Sequence, residues 1–147
     1  MHVPLLSANL LICEKTLDEK DDVISVIRMV DVFYLRIDEA EPPEKQGVAF
    51  RIFIQIKFDP QDTTEHAVEL KIMRPDGEVQ QIGASAKITA GSTIPGLPGG
   101  ANLIAPIVVL ARQWGLHFVI LEVDGSELRR IPFTLLQRQE ELTDDSK

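Results

Sequence analysis

Apolar and polar residues alternate most regularly over residues 48–58, where all six even-numbered positions are apolar. A period of two is typical of a β-strand with one face against a core and the other in water. A slip of one residue would expose the whole apolar set, so the register is strongly determined. We predict a central strand in which Arg51, Gln55 and Lys57 are markedly more exposed than the isoleucines. The isoleucines expected to be buried are Ile52, Ile54 and Ile56.

The segments on both sides of residues 75–77 (Pro-Asp-Gly) also alternate and predict an antiparallel hairpin. A three-residue loop with the glycine in the left-handed conformation places Leu70 opposite Ile82 and Met73 opposite Val79. This register pairs apolar side chains with each other and gives the proline its preferred turn position. A two-residue turn would pair a lysine with Ile82, so we favour the longer loop.

A second Asp-Gly dipeptide, at residues 124–125, follows another alternating segment and predicts a second hairpin. A two-residue turn pairs Phe118 with Ile131 further along the strands. It also sets Glu122 against Glu127 beside the turn, a like-charge contact that solvent screens.

The remaining segments favour strands and turns. Residues 5–13 are almost wholly apolar, as in a strand covered on both faces. Residues 23–38 would span more than ~50 Å as one strand, so we expect a bulge or bend at Asp31. Pro106 lacks a backbone N–H and favours an edge position or a bulge for the strand predicted over residues 102–112.

Together these segments predict an all-β fold: an antiparallel two-sheet β-sandwich of about eight strands, immunoglobulin-like or C2-like, with no substantial helix. We place one β-sandwich domain at residues 1–136 and an acidic, mobile C-terminal tail at residues 137–147. Within that tail, residues 137–142 have the periodicity of a short helical turn. Residues 91–100 are the longest stretch that resists regular structure.

Composition and charge narrow the classes of function. The chain has 147 residues, of which 44% are hydrophobic and 26% charged, as in one soluble globular domain. With 23 acidic and 15 basic residues and a net charge of −8, it lacks the basic surface that binds nucleic acid. Its apolar runs are shorter than the ~20 residues of a membrane helix, and its single cysteine suits a reducing compartment. We expect a cytoplasmic protein that binds neither nucleic acid nor membrane.

Three stretches resemble an uncharacterised bacterial family of small β-sandwich domains of unknown function. They are Leu-Leu-Ile-Cys at residues 10–13, the first hairpin at residues 70–78, and the second hairpin at residues 115–133. The resemblance implies a two-sheet sandwich and carries no catalytic residue. Residues 91–100 depart from the family pattern, so that loop is expected to be particular to this chain.

Few residues are arranged for chemistry. His66 and Glu69 fall on opposite faces of a predicted strand, so they do not form a metal clip. A zinc site needs three or four convergent ligands, and we favour structural roles for His2, His66 and His117. Cys13 has no basic neighbour that would lower its pKa and is expected to be a small buried hydrophobe. We predict no catalytic residue and no cofactor. We therefore rank an enzyme as the least favoured class of function. A structure with His66 or His117 beside a carboxylate and a hydroxyl in a cleft would overturn that ranking.

Asp59, Asp62 and Glu65 lie in one predicted inter-strand loop. Some sandwich domains hold calcium with carboxylates at strand ends, which makes these three residues weak calcium candidates. Their spacing matches no calcium loop, and polar inter-strand loops commonly carry such residues, so a solvated loop is favoured.

Ile94 and Leu97 in the glycine-rich loop, and Trp114 at a predicted turn, are the candidate partner contacts, because exposed apolar and aromatic residues often anchor a partner. A plain crossover loop and a cap on the core are the competing interpretations. We favour a non-enzymatic interaction or structural module that binds another protein or a second copy of itself. The alternative is a small-ligand or calcium-dependent binding domain that uses the loops at one end of the sandwich.

Overall fold

The computed structural model describes residues 5–18, 24–37, 40–42, 45–92 and 94–138. These residues form nine strands and no α-helix. The strands are β1 (Leu5–Asp18), β2 (Ile24–Met29), β3 (Val32–Leu35), β4 (Gly47–Phe58), β5 (Glu65–Met73), β6 (Val79–Thr89), β7 (Gly100–Leu110), β8 (Gly115–Val123) and β9 (Ser126–Gln137). The all-β prediction is confirmed, with nine strands in the described part rather than about eight.

The strands form two sheets with the core between them. The four-stranded sheet has the order β2-β1-β4-β7, and the five-stranded sheet has the order β3-β9-β8-β5-β6. Both sheets contribute to one buried apolar cluster, which includes Ile52 and Ile56 of the first sheet and Leu121 and Phe133 of the second. The neighbouring strands are antiparallel except for β3 and β9, which are parallel. The predicted two-sheet sandwich is therefore confirmed, with one parallel pair as a local exception.

The segment at residues 23–38 contributes a strand to each sheet. The Val30 N–H donates to the Ile12 carbonyl at 3.1 Å, in the four-stranded sheet. The carbonyl of the next residue, Asp31, accepts from the Thr134 N–H at 2.8 Å, in the five-stranded sheet. The bend expected at Asp31 is the point where the chain crosses between the sheets, as strands do at the corners of sandwiches.

The predicted buried and exposed faces of residues 48–58 are confirmed. β4 lies between β1 and β7, and its isoleucines are 0%, 2% and 0% exposed in chain order. Arg51 is exposed, and Gln55 and Lys57 are partly exposed. One face of β4 therefore meets the core and the other meets solvent.

The first hairpin has the predicted three-residue loop. Leu70 pairs with Ile82 and Met73 with Val79, and the Arg74 N–H donates to the Glu78 carbonyl at 2.9 Å. The glycine of the loop has φ +87°, a conformation that glycine adopts without a steric penalty.

The second hairpin departs from prediction beyond its turn. Glu122 pairs with Glu127 as expected, but Phe118 pairs with Pro132 instead of Ile131. The register shifts by one residue between Leu121 and Glu122, because β9 carries Leu128 as an extra residue. Without this bulge, the apolar residues in the second half of β9 would face away from the core.

Pro106 occupies the predicted edge position. Its strand, β7, has a single neighbour in the described sheet, β4. The missing N–H of Pro106 therefore does not cost a hydrogen bond to a strand on the other side of β7.

The described chain ends just beyond β9. Gln137 is the last residue of β9, one residue past the predicted end of the domain, and the Arg138 N–H donates to the Leu35 carbonyl at 2.9 Å. The predicted tail and helical turn otherwise fall on residues 139–147, outside the described residues. Within the described part, no helix is long and apolar enough to cross a membrane.

Candidate functional site

Three chain segments bring titratable side chains together at one end of the sandwich. The His66 Nδ1 atom lies 2.5 Å from Asp124 Oδ2, and its Nε2 atom lies 2.7 Å from Asp62 Oδ2. Thr64 Oγ1 is 3.1 Å from the same Nε2 atom. Asp62 and Thr64 precede β5, His66 is its second residue, and Asp124 belongs to the β8–β9 turn. We call Asp62, Thr64, His66 and Asp124 the His66 cluster.

Local backbone structure holds both carboxylates in place. Asp62 Oδ1 accepts hydrogen bonds from the Thr64 N–H at 2.8 Å and the Thr64 hydroxyl at 2.7 Å, the pattern by which aspartate stabilises a turn. Asp124 has φ +51° in its turn, a conformation that aspartate tolerates better than most residues. Its Oδ1 atom accepts from the Ala67 N–H at 2.9 Å, which ties the β8–β9 turn to β5.

The imidazole of His66 is buried as well as hydrogen-bonded. The residue is 5% exposed, and its ring stacks on Phe58 with the centroids 4.4 Å apart and the planes 11° apart. Phe58 ends β4, so this contact joins the His66 cluster to the core.

The two carboxylates favour the charged form of the imidazole. Desolvation is the largest single influence and lowers the pKa of His66, but the hydrogen bonds and charges of Asp124 and Asp62 together outweigh it and raise the pKa. Hydrogen bonds from Thr64, and then from His66, lower the pKa of Asp62. The hydrogen bond with His66 is the main cause of the lowered pKa of Asp124. The geometry is that of an imidazolium whose two N–H groups each donate to a carboxylate.

The hydroxyl of Thr64 beside an Asp–His pair resembles a nucleophile with its base. A base must accept a proton, however, and both ring nitrogens of His66 lie within hydrogen-bond distance of a carboxylate, which only accepts hydrogen bonds. The Thr64 hydroxyl itself donates to Asp62. His66 thus lies beside a carboxylate and a hydroxyl, but the carboxylates favour a proton on each of its nitrogens. This arrangement favours a clamp between three chain segments over general base catalysis.

The sequence alone does not predict the His66 cluster. Glu69, the carboxylate considered above as a partner of His66, lies on the other face of β5. The imidazole instead bonds to Asp62 and Asp124. The alternation of Asp62, Thr64 and His66 is a weak local signal. Asp124 is 58 positions away from His66 in the sequence, and only the pairing of β5 with β8 brings it close.

The three calcium candidates have separate partners. Asp59 Oδ1 accepts from the Gln61 N–H at 2.9 Å, and Glu65 lies 3.6 Å from Lys87 Nζ. Asp62 belongs to the His66 cluster. Within the described ranges, no group of three or more His, Cys, Asp and Glu side chains is arranged to hold a metal ion.

The other candidate side chains are packed in the core. His117 stacks on Phe133 at a centroid distance of 4.9 Å, and its Nδ1 atom lies 2.9 Å from the Gly115 carbonyl. Burial lowers the pKa of His117 and raises the pKa of the Cys13 thiol. Cys13 is 0% exposed. His2 lies outside the described residues.

The three predicted partner contacts are all exposed but do not form one surface. Ile94 is 57% exposed, Leu97 49% and Trp114 37%. The two loop residues precede β7 and Trp114 follows it, so the length of that strand separates them. Trp114 instead lies at the start of β8, next to an apolar region of the five-stranded sheet.

That region lies on the outer face of the sheet. The buried residues of β8 alternate with Leu116 and Phe118, so these two side chains point away from the core. Tyr34 pairs with Leu136 across β3 and β9, and Val79 pairs with Met73, which is also opposite Phe118. Four large apolar side chains of this outer face are exposed. We call them the outer patch: Tyr34, Val79, Leu116 and Leu136.

Similar folds occur in solved structures of several kinds. One is a Pseudomonas fluorescens alkylpurine DNA glycosylase bound to DNA containing an abasic site analog, with 14% identity and a TM-score of 0.48 over 86% of this chain. This chain spans only 30% of the glycosylase chain. A Listeria innocua β-glucosidase gives 9% identity and a TM-score of 0.47, over 90% of this chain and 16% of the enzyme.

The CARDB domain of a Pyrococcus furiosus protein, solved in complex with di-metal ions, gives 9% identity and a TM-score of 0.42. The match covers 94% of this chain and 100% of that domain. At these identities and TM-scores, none of the three likenesses carries an argument about function.

Comparison with protein families identifies a family for most of the chain. A family model covers residues 35–136, from the last residue of β3 almost to the end of β9, and it describes a family of unknown function. The predicted resemblance to a family of unknown function is confirmed; both hairpins lie within the matched residues, whereas residues 10–13 lie outside them. No curated protein matches the sequence.

Proposed function

The chain belongs to this family of unknown function, DUF6941, and from the geometry we propose that it is a non-enzymatic interaction module that binds a second copy of itself through the outer patch. Four large apolar side chains are exposed on one face of a sheet. Tyr34 is 64% exposed, Leu116 49%, Val79 46% and Leu136 38%. Contiguous exposed apolar surface of this kind marks contact sites, and this observation carries the proposal.

The charges on the same face support a second copy as the partner. Lys71 Nζ lies 2.9 Å from Glu122 Oε2, and Arg130 donates to Glu127 at 2.6 Å. These four charges on the outer face are therefore paired within the chain, although the whole chain has a net charge of −8. Glu69 shares that face with Lys71 and has no ion pair of its own among the described residues. Most of the charge on the face is therefore neutralised before two copies meet, which limits like-charge repulsion at a twofold interface.

Size-exclusion chromatography with light scattering tests this proposal. We expect the wild type to have twice the 16.4 kDa mass of one chain and Leu116→Glu to have the mass of a single chain. Met29→Glu is the matched control, because Met29 is 69% exposed on β2 of the other sheet. A wild type that stays monomeric at every concentration contradicts the proposal, and so does an equal loss of mass in both variants.

The calcium-dependent alternative has less support. Asp62 already accepts three hydrogen bonds within the His66 cluster, and calcium would have to displace these contacts. Isothermal calorimetry and thermal melting with millimolar calcium test this alternative. We expect no binding heat and no rise in melting temperature, whereas saturable heat that is lost in Asp62→Asn would establish the calcium site.

A further inference from the structure

Two adjoining cavities lie where the edge strands β6 and β7 face each other. The larger one has a volume of about 380 Å³ and is lined by aliphatic side chains. Its main lining residues are Ile54, Val68, Leu70, Ile82, Leu103 and Ile107. The smaller one has a volume of about 110 Å³ and is lined in part by Arg74, Gln80 and Arg112. We call them the aliphatic cavity and the arginine cavity.

The irregular course of β6 keeps this side of the sandwich open. Val68 pairs with Ala86, and Leu70 pairs with Ile82. Between these two pairs β6 has three residues, 83–85, whereas β5 has one, Glu69. A bulge of this kind bends an edge strand out of its ladder. Gly83, within the bulge, has φ +71° and lines the aliphatic cavity. Gly83 and Pro106, which also lines it, are both exposed, so the cavity opens to solvent between the two edges.

The two cavities form one elongated groove. Ile82 lines both. Leu70 and Ile107 line the aliphatic cavity, and the residues two positions further along the same strands, Ile72 and Val109, line the arginine cavity. Residues two apart share a face of a strand. The groove is therefore aliphatic along most of its length and cationic at one end.

The cationic end is lined by two guanidinium groups with different surroundings. The Arg74 side chain is 17% exposed and lies 3.4 Å from Glu78, whose side chain is 66% exposed. Arg74 also donates to Gln80. Arg112 is exposed, and its guanidinium has no ion pair among the residues that the structure describes. Hydrogen bonds, and then the charge of Arg74, lower the pKa of Asp76, so Asp76 and Glu78 both offset Arg74. Arg112 is therefore the lining guanidinium that has no carboxylate partner within the described ranges.

We propose that this groove binds a single-chain amphiphile with a carboxylate head, such as an acyl carboxylate. The aliphatic cavity accepts the hydrocarbon chain, since its volume lies in the usual range of ligand sites and burial of each methylene is favourable. Arg112 and Arg74 bind the head, because guanidinium groups form charge-assisted hydrogen bonds with carboxylates. The groove lies on the side of the sandwich where both sheets end, whereas the outer patch covers a sheet face.

Isothermal calorimetry of the wild type with a set of soluble probes tests the two ends of the groove separately. Decanoate supplies both parts of the proposed ligand, acetate supplies the head alone, and decanol supplies the chain without the charge. Decyltrimethylammonium reverses the charge of the head. We expect saturable binding of one decanoate per chain, binding of decanol weaker by roughly tenfold or more, and no saturable binding of acetate or the cation.

Variants test the assignment to residues. Arg112→Gln should weaken decanoate binding roughly tenfold and leave decanol binding unchanged. Lys87→Gln is the matched control, since Lys87 is a basic residue on β6, an edge strand that borders the groove; its side chain is 73% exposed and lines neither cavity. Ala105→Leu adds volume inside the aliphatic cavity, which Ala105 lines, and should weaken decanoate and decanol together. Circular dichroism and thermal melting check that each variant is folded.

The proposal is overturned if decanoate does not bind saturably, or if decanol or the cation binds as tightly as decanoate. It is also overturned if Arg112→Gln and Lys87→Gln weaken decanoate binding equally. If Ala105→Leu does not fold, the comparison of probes on the wild type and on Arg112→Gln decides. The self-association of the outer patch is measured by mass, so either proposal can fail while the other stands.

Discussion

At the scale of single residues, the fold shifts the pKa values of two buried histidines in opposite directions for identifiable reasons. His66 lies between two carboxylates, which favour its charged form despite burial. His117 faces an aromatic ring and a backbone carbonyl, and burial favours its neutral form. The same side chain in two environments therefore gives the fold two opposite responses to pH.

We expect His66→Ala to lower the free energy of unfolding by at least about 1 kcal/mol near pH 6. Folding raises the pKa of His66, so its contribution is complete below the ordinary value of 6.5 and is lost as the pH rises through the raised value. Folding lowers the pKa of Asp62 and Asp124, so their contributions are complete above 3.8 and are lost as the pH falls through the lowered values.

Urea unfolding at a series of pH values measures this contribution. The difference between wild type and His66→Ala should be largest between pH 3.8 and 6.5 and should shrink on both sides. A difference that does not vary with pH would show that His66 is not paired as an imidazolium.

The free energy of unfolding that His117 contributes should depend on pH in the opposite direction to that of His66, and His117→Phe tests this. Folding lowers the pKa of His117, so protonation of the unfolded chain below the ordinary value of 6.5 destabilises the wild type but not the variant. The wild type should lose up to about 1.4 kcal/mol per pH unit relative to His117→Phe as the pH falls below that value. The same urea series measures this loss, and parallel curves for the two proteins would contradict the neutral assignment.

At the scale of elements, alternation and turn chemistry decide the register only where nothing interrupts them. β4 has an unbroken period of two, and the first hairpin has its predicted loop and pairs. In the second hairpin the turn pair is correct, but the extra residue Leu128 shifts every later pair by one. A bulge serves the packing of the whole sheet, and the local sequence gives no clear signal for it.

Two neighbouring substitutions in β4 test the assignment of its faces. Ile54→Ala should cost about 2–5 kcal/mol in free energy of unfolding, through lost burial and the cavity that remains. Gln55→Ala should stay within roughly 0.5 kcal/mol, since Gln55 is partly exposed and its side chain accepts a hydrogen bond from the exposed Asn9 at 3.2 Å. Chemical denaturation measures both. Equal losses would show that the outer face of β4 is also covered, by a partner or another copy.

At the scale of the whole molecule, the sandwich has one core and two kinds of apolar surface outside it. The outer patch is an exposed sheet face, and the groove between β6 and β7 is a gap between sheets. Both result from the way the nine strands of the described part divide into two sheets, since a sheet face or a sheet edge without a neighbour leaves apolar atoms in water.

Trp114, the only tryptophan of the chain, reports on self-association of the whole molecule. It is 37% exposed and directly precedes β8, at the end that carries Leu116. If a second copy covers the outer patch, acrylamide quenching of its fluorescence should decrease as the protein concentration rises. Leu116→Glu should abolish that dependence and Met29→Glu should preserve it. Quenching that is independent of concentration in the wild type contradicts an interface at this end.

The sequence by itself determined the fold class, the buried face of β4 and the first hairpin, and it restricted Pro106 to an edge strand or a bulge. These features depend on local periodicity and on the fixed geometry of Pro and Gly, which act over a few residues. The bend at Asp31 was predictable because strand length is limited by the size of the domain.

Only the tertiary structure decided the His66 cluster, the bulge at Leu128 and the groove between β6 and β7. Each depends on which distant strands become neighbours: Asp124 reaches His66 because β5 pairs with β8, and Arg112 lies near Arg74 because β7 and β6 are edges of facing sheets. Strand order depends on the packing of the entire core and leaves no local pattern in the sequence. Local periodicity therefore determines the elements, whereas the core determines which of their side chains meet.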